Sequence, residues 1–167
     1  MDWGRWFRHV FATRTALRRA FPAESLGAIE QAITASEHLH SGEIRFAIEG
    51  GLEPGDAWDG KPSRARALEV FAALGVWDTA ANNGVLIYVL LADHAVEIVA
   101  DRGFNDLVPA AEWRAVCDDM EREFRAGRFR DGGVVGVEDV GRIVARCFPL
   151  QPGQRDRDEL PNRPVLL

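Results

Sequence analysis

The sequence predicts an α/β fold: a three-layer α/β/α sandwich around a small mixed sheet, with one parallel strand pair and one antiparallel hairpin. Three observations predict it. Stretches with apolar residues at spacings of three and four alternate with short apolar runs, as helices alternating with strands do. One run, "NGVLIYVLLAD" (residues 83–93), is apolar almost throughout, the mark of a strand covered on both faces. It reaches "AVEIVAD" through a tight turn at Asp93-His94, so these two strands must lie antiparallel.

The elements follow in order. "PAESLGAIEQAITASEHL" sets Leu26, Ile29 and Ile33 on one stripe of a helix, with Leu39 beyond it. Ser41-Gly42 ends that helix, and "EIRFAI" alternates as a half-buried strand. A Gly/Pro/Asp-rich loop, residues 49–63, precedes a helix that opens at Pro62 and turns Ala65, Leu68, Phe71 and Leu74 inward. After the hairpin, "PAAEWRAVCDDMEREFRAG" is a helix burying Trp113, Val116, Cys117, Met120 and Phe124, closed by Gly127. A last helix from about Gly133 to Phe148 buries Val137, Val140, Val144 and Cys147. The acids of "CDDMERE" read as the wet face of their helix.

This order divides the chain into a basic amphipathic segment at 1–21, a domain at 22–149 and an extended or disordered tail at 150–167, rich in proline and charge. A net charge of −6 excludes nucleic acid as the main partner, because phosphate contacts need a basic face. Cys117 and Cys147 fall on apolar helix faces. They read as small buried hydrophobes of a reducing compartment, with a disulfide as the minority alternative. No signal peptide is visible, and the longest apolar run is far short of the roughly 20 residues of a membrane span. The expectation is a cytoplasmic protein, peripheral to the inner membrane if the N-terminus attaches there. In that N-terminus Trp3, Trp6, Phe7, Val10 and Phe11 share one side and arginines occupy the rest. Such a helix docks on its own domain, on a membrane protein partner, or on an anionic membrane surface.

Strand–helix–strand crossovers place consecutive strands parallel. The end of the third strand then returns to the edge where the first two begin. Glu37, Ser41, Gly42 and Glu43 gather there with Asp78, Thr79, Asn82 and Asn83, joined by Asp101, Arg102, Gly103 and Asp106. Crowded carboxylates and amides are the oxygen-rich set that calcium or magnesium prefers. The expected metal ligands are Glu37, Glu43, Asp78, Asn83, Asp101 and Asp106, with Asp101 and Arg102 as candidates for catalysis. The alternative is turn chemistry at Ser41-Gly42, Asn82-Asn83-Gly84 and Asp101. A second rim, beyond the carboxyl ends of the parallel strands, carries Glu49-Gly50-Gly51, Asp56, Asp59 and Asp93-His94. No phosphate-binding glycine loop, GxSxG elbow or HExxH is present, so no nucleotide or organic cofactor is expected. Ser41 lacks a base to activate it. His38 and His40, two apart, read as solvated, and His94 as a turn residue.

The stretches "SEHLHSGEIRFAIE", "ALEVFAALGVWDTAANNGVLIYVLLADHAVEIVADRGF" and "EWRAVCDDMEREFRAGRFRDGGVVGVEDVGRIVARCFP" together resemble the TPM domain family over about residues 22–149. These domains are related to thylakoid-lumen proteins of photosystem repair, some described as acid phosphatases. The likeness is strongest to the short stand-alone bacterial branch, often encoded near LemA-type membrane proteins. It implies a Rossmann-like sandwich and, in some members, divalent metal bound in an acidic crevice. The family's recurrent positions correspond to Gly42-Glu43-Ile44, Asn83-Gly84-Val85-Leu86 and Asp101-Arg102-Gly103, the same rim that topology selects. Longer relatives carry an acid about where this chain reads Val108-Pro109-Ala110, with Asp106 nearby. They also carry a signal peptide and a membrane anchor, which this sequence lacks. The expected function is a divalent-cation-binding accessory module for membrane-associated or envelope complexes. The alternative is a metal-dependent phosphatase acting on phosphomonoesters at the same rim.

Overall fold

Parallel pairing of the first two strands, the premise of the rim, is present in the computed structural model, which describes residues 2–12, 14–150 and 159–167. The charged stretch 151–158 of the expected tail lies outside the described residues. Helices α1 (Trp3–Val10) and α2 (Arg14–Ala20) form from the basic start, and α3 (Ala23–Glu37) buries Ile29 and Ile33 as their spacing predicts. Strand β1 (Glu43–Glu49) follows. The long loop holds one short helix, α4 (Pro54–Trp58), with Pro54 in its first turn. Then come α5 (Ser63–Ala73), β2 (Gly84–Leu90) and β3 (Ala95–Ala100). The turn between β2 and β3 is one turn of 3-10 helix over Leu91–Asp93, closed by His94 at φ 49°. The long helices α6 (Ala110–Arg125) and α7 (Phe129–Cys147) complete the domain.

In the sheet, β2 lies between β1 and β3, parallel to the first and antiparallel to the second. Ile44, Phe46 and Ile48 of β1, with Val85, Ile87 and Val89 of β2, bury against α3, α6 and α7. Ala47, Leu86, Tyr88, Leu90 and Val99 bury on the opposite face, toward α4 and α5. The layers are therefore helix, mixed sheet, helix, the sandwich read from the sequence.

Three local expectations change. The tail does more than lie along the surface: Val165–Leu166 forms β4, parallel to β1 at the sheet edge, and Leu160 and Pro164 are buried. Glu43 carboxylate oxygens accept the Glu159 and Leu160 amides at 3.0 and 3.2 Å, while the Arg45 guanidinium donates to the carbonyls of Pro161 and Arg163. Covered in this way, β1 is buried along its whole length rather than half-buried as its alternation suggests. Second, α5 turns Ala67 and Val70 inward and leaves Leu68 exposed, because small Ala67 allows close approach and Arg66 is held in a two-pronged pair with Glu49. Third, α7 begins four residues before Gly133. The glycine-rich "RDGGVVG" stays helical because neighbouring side chains occupy its glycine positions: a Cβ on Gly133 would meet Ile29 of α3 at 2.7 Å.

The cysteines are free thiols, Cys117 buried and Cys147 half-buried. Burial pushes the Cys117 thiol up to about 11, which keeps it protonated and unreactive. Among the described residues no helix is long and apolar enough to cross a membrane.

Candidate functional site

The rim at the starts of β1 and β2 is knit together by backbone hydrogen bonds. The Glu43 amide donates to the Asn83 carbonyl (3.3 Å), the Asp101 amide to Gly84 (2.9 Å) and the Gly103 amide to Asn82 (2.9 Å). Glu43, Asn83 and Asp101 thus stand on three adjacent strand ends. Gly103 must be glycine at this approach, because a Cβ there would overlap the Asn82 carbonyl oxygen.

Among the buried oxygens at this rim, Asn83 Oδ1 and Asp101 Oδ2 on the strand ends lack what burial normally demands. Asn83 is 1% exposed; its amide nitrogen donates to the Ser41 carbonyl at 2.7 Å, but Oδ1 has no hydrogen-bond partner among the described residues. Asp101 caps a single 3-10 turn over Arg102–Phe104, its Oδ1 accepting the Arg102 amide at 2.7 Å. Its Oδ2 is buried and also without a partner among the described residues. Buried polar atoms are ordinarily hydrogen-bonded, so two orphaned acceptors on neighbouring strand ends point to something that contributes positive charge or protons. Arg102 is exposed, and Asn82 Oδ1 orients it by accepting from Nε at 2.8 Å.

The other predicted ligands stand in different surroundings. Glu43 is buried and its oxygens hold the tail amides. Glu37 accepts from Asn162 at 2.6 Å, and Glu159 accepts from the Ala80 amide. The final segment therefore crosses this rim, which sequence reading missed because a proline-rich tail gives no periodicity to place it. Asp78 is exposed, and Asp106 is exposed at φ 65°, in a turn. Among the described residues no three His, Cys, Asp or Glu side chains cluster as a metal site of those groups alone. Any ion here would rely on carboxylate, amide and carbonyl oxygens mixed, the donor set of hard cations.

The two histidines separate. His38 is exposed, but His40 is fully buried rather than solvated, its strand-like bridge to Pro149 folding it inward. Its ring lies near Gly141 and against its own backbone and that of Gly42, without a well-formed hydrogen bond at either nitrogen. Burial holds His40 below its ordinary value.

At the opposite rim the acids are mostly paired. Asp93 receives Arg5 through Nε and Nη2 (3.1 and 2.9 Å) and meets His9 Nε2 at 3.0 Å, while His9 Nδ1 accepts the Leu52 amide. Burial alone would raise the Asp93 carboxyl, but Arg5 and His9 outweigh it and hold it below the usual range. Asp56 pairs with Lys61 at 2.8 Å, and Asp59 is exposed. Helix α1 is thereby docked on its own domain. Its apolar side still reaches outward: Trp3, Phe7 and Phe11 are exposed and, with Trp6 and Trp58, form one chain of ring contacts 5.1–6.4 Å apart.

Comparison with known proteins identifies the family and the fold. A family model described as the TPM domain matches residues 17–143. The chain is similar in structure to the BA42 protein of the psychrophilic bacterium Bizionia argentinensis, solved by NMR. The TM-score is 0.75 and the identity 36%, over 87% of this chain and 94% of that one. No curated protein matches. With the family model spanning most of the chain and a relative so similar over nearly its whole length, this chain belongs to the TPM domain family.

Proposed function

We propose that this TPM domain is a divalent-cation-binding accessory module for membrane-associated or envelope complexes. The orphaned pair Asn83 Oδ1 and Asp101 Oδ2 carries the reading. Water would satisfy such atoms too, but an ionised carboxylate buried at one oxygen favours a cation. Asp101 and Asn83 supply the side-chain donors for calcium or magnesium, and neighbouring carbonyls complete the shell. Glu43, Glu37, Asp78 and Asp106 add negative field around it. The exposed aromatic face of α1, with Arg8 beside it, meets the membrane protein partner or an anionic membrane surface. The setting is cytoplasmic, at the periphery of the inner membrane.

Isothermal calorimetry and amide NMR with calcium and magnesium test the cation. Shifts are expected at Asn83, Asp101 and Gly103, with affinity at least tenfold weaker in Asp101→Asn, which retains a capping oxygen. Millimolar cation that leaves those amides unmoved refutes the site.

The phosphatase reading is supported by Arg102, an exposed guanidinium that follows Asp101 in the chain and is oriented through Nε by Asn82. A guanidinium there is suited to a phosphoryl group, and a cation held by Asp101 and Asn83 would supply Lewis-acid chemistry beside it. Metal-dependent release of phosphate from an aryl phosphate, lost in Asp101→Asn and Arg102→Ala, is the expected result for an enzyme. Cation binding without turnover leaves the accessory reading.

A further inference from the structure

A well-formed concavity lies away from the acidic rim. A cavity of about 560 Å³ opens between α2, the first turn of α3, the β2–β3 turn and the α6–α7 junction. That volume is within the range of small-molecule sites, roughly 300–1,000 Å³. Leu91 and His94 place it beyond the carboxyl end of β2, the side on which open α/β sheets usually bind ligands.

We propose that this cavity binds a small amphipathic anion, with a phosphate or carboxylate head on an aromatic or aliphatic body. Arg19, Arg128 and Arg130 line it against one carboxylate, Asp131, in a chain whose net charge is −6. A local excess of positive charge on an acidic protein focuses anions there. The three guanidinium groups are not equivalent. Arg128 is held by Glu123 through bonds of 2.6 and 3.0 Å, so its position is fixed before any ligand arrives. Arg19 has no partner among the described residues, and Arg130 has only exposed Glu24 at 3.7 Å. Both can close on an anionic head at little cost. Ala20, Leu91 and Phe129 give the remaining wall an apolar character, which selects a body rather than a bare ion. Asp131 opposes the anion and directs the head toward the arginines. The first turns of α3 and α7 also border the cavity and add polarity of the same sign.

The test is amide NMR on the full chain in chelator, so that no cation bridges ligand to the acidic rim. The probes are phenyl phosphate, benzoate, inorganic phosphate and benzyl alcohol. Expected are shifts at Ser25, His94 and Phe129 with phenyl phosphate or benzoate, and none at Asn83 or Asp101. Affinity should be at least tenfold above that for benzyl alcohol and above that for inorganic phosphate. Arg19→Gln with Arg130→Gln, both exposed positions, should weaken binding at least tenfold with an unchanged melting temperature; Asp101→Asn should leave it unaltered. The ratio of phenyl phosphate to benzoate affinity identifies the preferred head. The proposal is overturned if neither aryl anion moves those amides at millimolar concentration, if shifts fall on the acidic rim instead, or if the double variant binds as the parent does. Such a failure would leave the cation reading intact.

Discussion

Glu43 is 1% exposed at the start of β1, and an isolated carboxylate could not be held so deep. Two tail amides satisfy it, one on each oxygen. Glu43→Gln keeps one acceptor and removes the charge, so unfolding free energy should fall by about 1–2 kcal/mol. Hydrogen exchange at Leu160 should rise with it; an unchanged exchange rate would show that the carboxylate does not hold the tail. His40 presents the opposite problem, a buried ring without good partners. Its folded value lies below 6.5, so the unfolded chain takes up a proton that the folded chain does not. Stability therefore falls as pH drops below 6.5. Urea midpoints between pH 7 and pH 5 should show this loss in the parent and a smaller one in His40→Leu. Parallel curves for the two proteins would contradict it.

At the scale of elements, α1 is attached by a polar lock rather than by its apolar stripe. Asp93 gathers Arg5 and His9 from α1, and Trp6 donates to the Pro54 carbonyl at 3.2 Å. The depressed Asp93 carboxyl contributes stability that is present above 3.8 and is lost as pH falls through its lower folded value. Asp93→Asn at neutral pH should loosen α1 and shift the Trp6 indole signal, at a cost of about 1–3 kcal/mol to the parent fold. An unchanged indole resonance would mean that α1 is held by packing alone. The aromatic residues Trp3, Phe7 and Phe11 were expected on one side of this helix, and they are. Which side faced the domain could not be read from them, because Asp93 and Leu52 lie 84 and 43 positions from His9.

Across the whole molecule, the two candidate sites sit at opposite ends of the same sheet. The acidic rim is at the amino ends of β1 and β2, and the arginine-lined cavity is beyond the carboxyl end of β2. A cation that binds only the folded chain stabilises it by mass action, by about 2.7 kcal/mol when present at a hundred times its Kd. Calcium or magnesium should thus raise the melting temperature of the parent and not that of Asp101→Asn. Equal shifts in both proteins would place the ion elsewhere.

Strand direction was legible because it follows from local order: a short turn forces antiparallel pairing, and an intervening helix forces parallel pairing. That local order by itself brings Glu43, Asn83 and Asp101 to one edge. The helical stripes of α3 and α6 were legible for the same reason, since a period of three to four residues is written in the chain itself. Only the tertiary structure decided which rim oxygens remain without partners, because residues 159–162 meet Glu37 and Glu43 across more than a hundred positions of sequence. It also decided the second cavity. Arg19, Arg128 and Arg130 belong to segments that share no pattern, and packing of α2 beside the α6–α7 junction alone makes them neighbours.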